Sequence, residues 1–188
     1  MGETSFTNAR IVLADAIVEG SLVSQDGVIT AIDAGAAQTG QDLDGDYLIP
    51  GLVELHTDHL ENHYRPRPCV FWDARASLHA HDVQIAGSGI TTVFDAVRIG
   101  SDLDMPEMLE HAGHMVDAVR EGRDGGWLRA DHLIHLRCEL SSADVIEHFE
   151  HFVDHPTTRL ISLMDHTPGQ RQFTSLETYK LFYKKQLG

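Results

Sequence analysis

Apolar and polar residues follow two different patterns along the chain, and the change between them comes near residue 48. Over residues of about 9–47 the apolar positions alternate with polar ones in short pieces: Ala9–Leu13, Ala16–Val18, Ser21–Gln25 and Val28–Ile32. A period of two marks strands with one covered face. Asp26-Gly27 separates two of these pieces and predicts a tight hairpin, because glycine takes positive φ without steric cost. The segment is expected to form a small antiparallel sheet that ends in a polar, glycine-containing loop over Ala34–Asp46.

From residue 48 strands and helices alternate. Residues 48–59 read Leu-Ile-Pro-Gly-Leu-Val-Glu-Leu-His-Thr-Asp-His, an apolar run that predicts a short strand buried on both faces. A long loop with Arg65-Pro66-Arg67-Pro68 follows, then a helix near Ala74–Ala86 and a strand at Thr91–Val97. A helix over about Pro106–Glu121 starts on a residue suited to a first turn, and Met108, Leu109, Ala112, Val116 and Val119 recur in it at helical spacing. The third strand is His132–Leu140. Ser141 or Ser142 is expected to cap the next helix, with Val145, Ile146, Phe149, Phe152 and Val153 as its buried stripe. A fourth strand, Leu160–Met164, and a helix over about Ser175–Gln186 complete the series. Successive β-then-α units predict an α/β fold with a parallel sheet and right-handed crossovers. The chain is therefore expected to divide into a small β domain over 1–47 and an alternating domain over 48–188.

The polar residues that break the apolar runs carry the candidate chemistry. His56 and Asp58 lie two apart, so on a strand they project together. An imidazole beside a carboxylate suits a divalent metal such as zinc; the plain alternative is a polar strand end before a loop. On the third strand His135, Arg137 and Glu139 share one face while Ile134, Leu136 and Cys138 take the other. Such groups are costly inside an α/β core unless they are paired or bind something, and a buried Arg–Glu network would also satisfy them. Asp165-His166 follow the fourth run. Parallel sheets bind ligands at the carboxyl ends of their strands, which is where His56, Asp58, Glu139 and His166 all fall.

Composition narrows the classes. Hydrophobic residues make up 42% of 188, enough for a core, and no run reaches the roughly 20 apolar residues of a membrane span. The N-terminus lacks a signal-peptide layout. Cys69 and Cys138 have no metal or redox spacing, which points to a reduced, cytoplasmic setting. A net charge of −15 argues against a nucleic acid partner, as the lack of an apolar span does against a membrane, but a local basic pocket still admits an anionic small molecule. Of the thirteen histidines, His111, His114, His148, His151 and His155 fall in helical patterns and are expected to be solvated. His59, His63, His79, His81 and Asp82 receive no role.

Pro50-Gly51-Leu52-Val53-Glu54-Leu55-His56 resembles the first barrel strand of the amidohydrolase superfamily. Within it the chain is similar to the PhnM family of the carbon–phosphorus lyase pathway. The resemblance rests on Glu-Leu-His-Thr-Asp (54–58), Pro-Arg-Pro (66–68), Gly-Ile-Thr-Thr-Val-Phe-Asp-Ala (89–96), His-Leu-Arg-Cys-Glu-Leu (135–140) and Ser-Leu-Met-Asp-His-Thr-Pro-Gly-Gln-Arg-Gln-Phe (162–173). It implies the N-terminal half of a (β/α)8 TIM barrel behind a small antiparallel β domain, since a whole barrel takes about 250 residues. It also implies metal-dependent hydrolysis of α-D-ribose 1-methylphosphonate 5-triphosphate to the 5-phosphate and pyrophosphate, a step of phosphonate catabolism. Carried over, His56, Asp58, Glu139 and His166 are metal ligands for one or two divalent ions, zinc foremost. Glu139 stands where relatives often have a carboxylated lysine. Asp58 replaces the second histidine usual in the superfamily but fits the PhnM pattern. By strand count Glu139 closes the third strand and His166 follows the fourth, each one earlier than the superfamily order. Arg137, Arg171, Arg65 and Arg67 are the candidates for gripping phosphates. The general-base aspartate is expected beyond residue 188, so the chain alone should be inactive. Free strand edges should favour a homo-oligomer or a complementing fragment. The alternatives are another amidohydrolase acting on a cyclic amide or amine, and a non-catalytic half-barrel.

Overall fold

In the computed structural model the described residues are 2–35, 39–67, 69–101, 107–167, 175–178, 180 and 181. The chain separates into two compact units, Met1–Gly51 and Leu52–Gly188. In the first, β1 (Glu3–Val12), β2 (Ile17–Gln25) and β3 (Val28–Ala34) form antiparallel pairs. Alternation along β1 buries Thr7, Ala9 and Ile11, and Leu22 of β2 joins Ala9 and Ile11 in a small core. The hairpin between β2 and β3 has Asp26 at φ 53° and Gly27 at φ 83°, the paired positive angles of a type I′ turn.

The expectation of a purely antiparallel sheet is corrected. Two short strands, β4 (Gln41–Asp42) and β5 (Tyr47–Leu48), pair with β1 in parallel, and β4 lies in the stretch read as loop. Two-residue strands carry no periodicity to read. Their position is set by long-range bonds, such as that from Asn8 Nδ2 to Asp42 Oδ1 at 2.9 Å.

The second unit is built on a parallel sheet in the order β6 (Leu52–Thr57), β7 (Ile90–Ile99), β8 (Asp131–Glu139), β9 (Thr158–Met164). Helices α1 (His59–Tyr64), α2 (Ala74–Gly87), α3 (Met108–Gly125) and α4 (Val145–Phe152) alternate with the strands. The core joins Val97 and Ile99 of β7 and Ile134, Leu136 and Cys138 of β8 to Leu60, Leu78, Val116, Val119 and Phe152 from the helices. The opposite faces of β8, carrying His135, Arg137 and Glu139, are left for polar contacts.

Several expectations are overturned here. The first strand of the series is not buried: Leu52, Val53 and Leu55 are each more than 50% exposed. β6 ends the strand order and has a neighbour on one side only. The loop expected after it contains α1, too short to show a period. The cap of α4 is Asp144 rather than a serine, because Ser142 Oγ donates to the Ser101 carbonyl and Ser141 Oγ to Glu139 Oε1. On α4 Ile146 is 64% exposed, whereas His148 is buried with its ring Nε2 3.5 Å from Asp144. His111 and His155 are half-buried and only His114 and His151 of that group are exposed. The expected last helix lies largely outside the described residues. No described helix is long and apolar enough to cross a membrane.

Candidate active site at the strand ends

The four sequence-predicted ligands all sit at carboxyl ends of the parallel strands, in two pairs. In β6 the register with β7 shifts between Glu54 and Thr57. Such a bulge re-aims side chains at the end of a strand. His56 N–H donates to Glu54 Oε1 at 2.9 Å, and His56 Nε2 lies 3.6 Å from Asp58 Oδ1. Asp58 is the N-cap of α1, yet its carboxylate makes no side-chain cap bond; it is held by the guanidinium of Arg137. In the second pair, Glu139 Oε2 accepts from His166 Nδ1, and Glu139 Oε1 accepts the His166 N–H at 3.0 Å and the Ser141 hydroxyl at 3.1 Å. Burial opposes the charge on Glu139, but these hydrogen bonds outweigh it and hold the carboxyl below its usual range.

Arg137 links the groups on the inner face. Besides Asp58 it reaches Glu61 Oε2 at 3.4 Å, and Glu61 Oε1 accepts the Arg98 N–H at 2.8 Å. Burial pushes the Glu61 carboxyl up, against the pull of Arg137. Arg137 is thus engaged by Asp58 and Glu61, not by its strand neighbour Glu139. His135 reaches across β7: its ring lies 4.9 Å from that of His56, Nδ1 donates to the Leu55 carbonyl at 3.0 Å, and Nε2 lies 2.7 Å from Ser162 Oγ. A carbonyl only accepts, so the proton is on Nδ1 and the Ser162 hydroxyl donates to Nε2. Burial, with His56 and Arg137 nearby, lowers the His135 pKa and keeps the ring neutral.

The donor set can be tested against a metal ion. Two ligands on one tetrahedral zinc, with bonds near 2.0–2.1 Å, stand about 3.3 Å apart. His56 and Asp58 at 3.6 Å fit that spacing, and both side chains are partly exposed. Glu139 and His166 are in direct hydrogen-bond contact, which an ion would have to open. Among the described residues, the group of three or more donors mutually within 4.8 Å is a different one: His81, Asp95 and His132.

Arg65 and Arg67 lie beyond α1, Arg65 with its guanidinium 5.9 Å from the centre of the Phe71 ring and Arg67 exposed in a bridge to Val70. Arg171 lies outside the described residues. Sequence reasoning missed Glu61, three residues past Asp58 in a helix read as loop. It also gave no role to the His81–Asp95–His132 cluster, whose one signal was an aspartate in the middle of the apolar run 91–97.

No protein-family model matches the chain. It is 42% identical over 179 residues, 94% of its length, to the alpha-D-ribose 1-methylphosphonate 5-triphosphate diphosphatase of Escherichia coli (strain K12). It spans about half of that relative, 47%. Among solved structures, an L-hydantoinase (dihydropyrimidinase) from Arthrobacter aurescens matches with a TM-score of 0.51 at 16% identity, over 100% of this chain and 45% of that one. A D-hydantoinase matches with a TM-score of 0.56 at 20% identity, over 94% and 35%. At such identities the likeness speaks for the fold.

Proposed function

We propose that the chain is part of a metal-dependent diphosphatase of the amidohydrolase superfamily. Its substrate in this reading is α-D-ribose 1-methylphosphonate 5-triphosphate, which water splits into the 5-phosphate and pyrophosphate. The observation that carries the reading is the 42% identity over 94% of the chain to a protein of that name. The strand-end placement of His56, Asp58, Glu139 and His166 agrees with it.

These four residues would hold one or two divalent ions, zinc being favoured by the mixed nitrogen and oxygen donors. A bound ion there supplies acidification of water and neutralises charge on phosphoryl oxygens. The chain's own groups do the rest of the positioning. Glu139, kept ionised by His166 and Ser141, offers a fixed negative charge at the end of β8. Arg137 orients Asp58 and Glu61; it and Arg65, Arg67 and Arg171 are proposed as phosphate contacts. Neutral His135 packs against His56 and fixes its ring without adding charge. We place the reaction in the cytoplasm.

The resemblance puts the general-base aspartate past residue 188, so the chain alone is proposed to bind the triphosphate without turning it over. Calorimetric titration with the sugar triphosphate, with and without zinc, tests this, and hydantoin serves as the control for a cyclic-amide substrate. Zinc-dependent binding of the triphosphate is the expected result. Binding of hydantoin in its place, or of neither, overturns the reading.

A further inference from the structure

A second polar cluster lies between α2, the middle of β7 and the amino-terminal end of β8. His81, Asp82, Asp95 and His132 have no exposed surface, and Ile85, Val93, Ala130 and Ile90 of the same elements and the β8 approach form an apolar cluster. Four ionisable groups in such surroundings are unfavourable unless every one is matched. His81 Nε2 donates to Asp95 Oδ1 at 2.8 Å and His132 Nδ1 to Asp95 Oδ2 at 2.7 Å, so two imidazoles from different elements converge on one carboxylate. Behind His132, its Nε2 lies 3.3 Å from Asp82 Oδ1. Asp82 is itself held by the N–H groups of Arg129 and Ala130 at 2.9 and 3.0 Å and by the Arg129 guanidinium at 3.0 Å.

We propose that His81, Asp95 and His132 form a divalent-metal site distinct from the one at the strand ends, which ties α2 to β7 and β8. Three features carry this. The three donor atoms come from three elements and lie within 4.8 Å of one another, so opening the 2.7 and 2.8 Å contacts with Asp95 by about half an ångström brings them near the spacing of about 3.3 Å that ligands of one zinc take. Both imidazoles aim a ring nitrogen at the same carboxylate; for an ion to bind there, each of those nitrogens gives up its proton, and the rings stay neutral with His132 protonated on Nε2 toward Asp82 and His81 on its unpartnered Nδ1, while the ion offsets the charge of Asp95. His132 has the backing that metal-bound histidines require: a carboxylate on its far nitrogen, fixed in turn by hydrogen bonds. Two nitrogens and one oxygen favour zinc over calcium or magnesium.

The test uses zinc as the probe and metal content as the readout, so it stands apart from the diphosphatase reading. The full 188-residue chain carrying His56→Ala and Glu139→Gln loses one ligand from each of the two strand-end pairs. After chelation and dialysis against micromolar zinc it should retain about one ion per chain and unfold at a higher temperature than its zinc-free form. Adding Asp82→Asn, which leaves all three ligands, should weaken retention about tenfold, and adding His132→Gln should abolish it. Where the His132→Gln chain does not fold, cobalt(II) absorption of the His56→Ala/Glu139→Gln chain replaces that arm: a visible band that saturates at one equivalent of cobalt is expected. No retained zinc and no cobalt band, or equal retention in a folded His132→Gln chain, overturns the proposal.

Discussion

His135 and Arg137 are two residues apart on β8 and both cross the neighbouring strand to reach groups that follow or lie in β6. Their contacts make the inner face a coupled set, and each has a measurable consequence. The His135–Ser162 bond, at 2.7 Å in partly buried surroundings, should show a coupling of about 1 kcal/mol in a double-mutant cycle of His135→Ala and Ser162→Ala read by urea unfolding. Arg137→Ala should destabilise the chain by about 2 kcal/mol, because it leaves the half-buried Glu61 without its cation. Glu61→Gln in the same chain should recover part of that loss, and equal stabilities of the single and double variants would contradict the pairing. Asp144 offers a pH test. Hydrogen bonds from Ser101, its side chain first and its N–H at 2.9 Å, hold the carboxyl below the usual carboxylate range. A depressed carboxylate contributes stability above its unfolded pKa and loses it as pH falls through the folded one. The stability difference between the wild-type chain and Asp144→Asn should therefore be constant from neutral pH to about 4 and shrink below that.

Elements differ in how strongly local sequence dictates them. The β2–β3 hairpin is dictated closely: Asp26 and Gly27 both need positive φ, and Gly27→Ala should cost about 1 kcal/mol in thermal unfolding. A different glycine in the same sheet matters for space. A Cβ on Gly20 would lie 1.9 Å from the Asp33 carbonyl oxygen, a backbone atom of the paired strand that cannot swing away. Gly20→Ala should therefore cost more than Gly27→Ala, about 2–3 kcal/mol, and a smaller cost would mean that β2 and β3 separate easily there. Helix α1 is the opposite case. Its six residues are too few for isolated helix stability; Leu60 and Tyr64, buried in the core, hold it, and that carries Asp58 and Glu61 to Arg137.

The parallel sheet ends in β6 on one side and β9 on the other. Val53 at 57% and Leu163 at 66% exposure lie on these outer strands. Unpaired edges with apolar side chains promote association, and the charge of −15 opposes it only until salt screens it beyond about 8 Å. Light scattering at physiological salt should give a mass above the 20.8 kDa of one chain. Val53→Lys with Leu163→Lys should shift the chain toward that mass, and a wild-type monomer at high concentration would show that the edges are protected.

The alternation of α and β after residue 48, the hairpin turn and the strand-end position of His56, Asp58, Glu139 and His166 were all legible in the chain. They depend on local periodicity, on backbone angles of single residues and on where an apolar run stops. Other features were settled by contacts between residues far apart in sequence. The parallel pairing of β4 and β5, the exposure of β6, the turn of Asp58 toward Arg137 and the gathering of His81, Asp95 and His132 leave no periodic trace. Asp95 in an apolar strand reads locally as an anomaly. Only the packing of α2 against β7 and β8 gives it two imidazole partners, because the free energy of a buried charge is set by the groups that reach it and not by its neighbours in the chain.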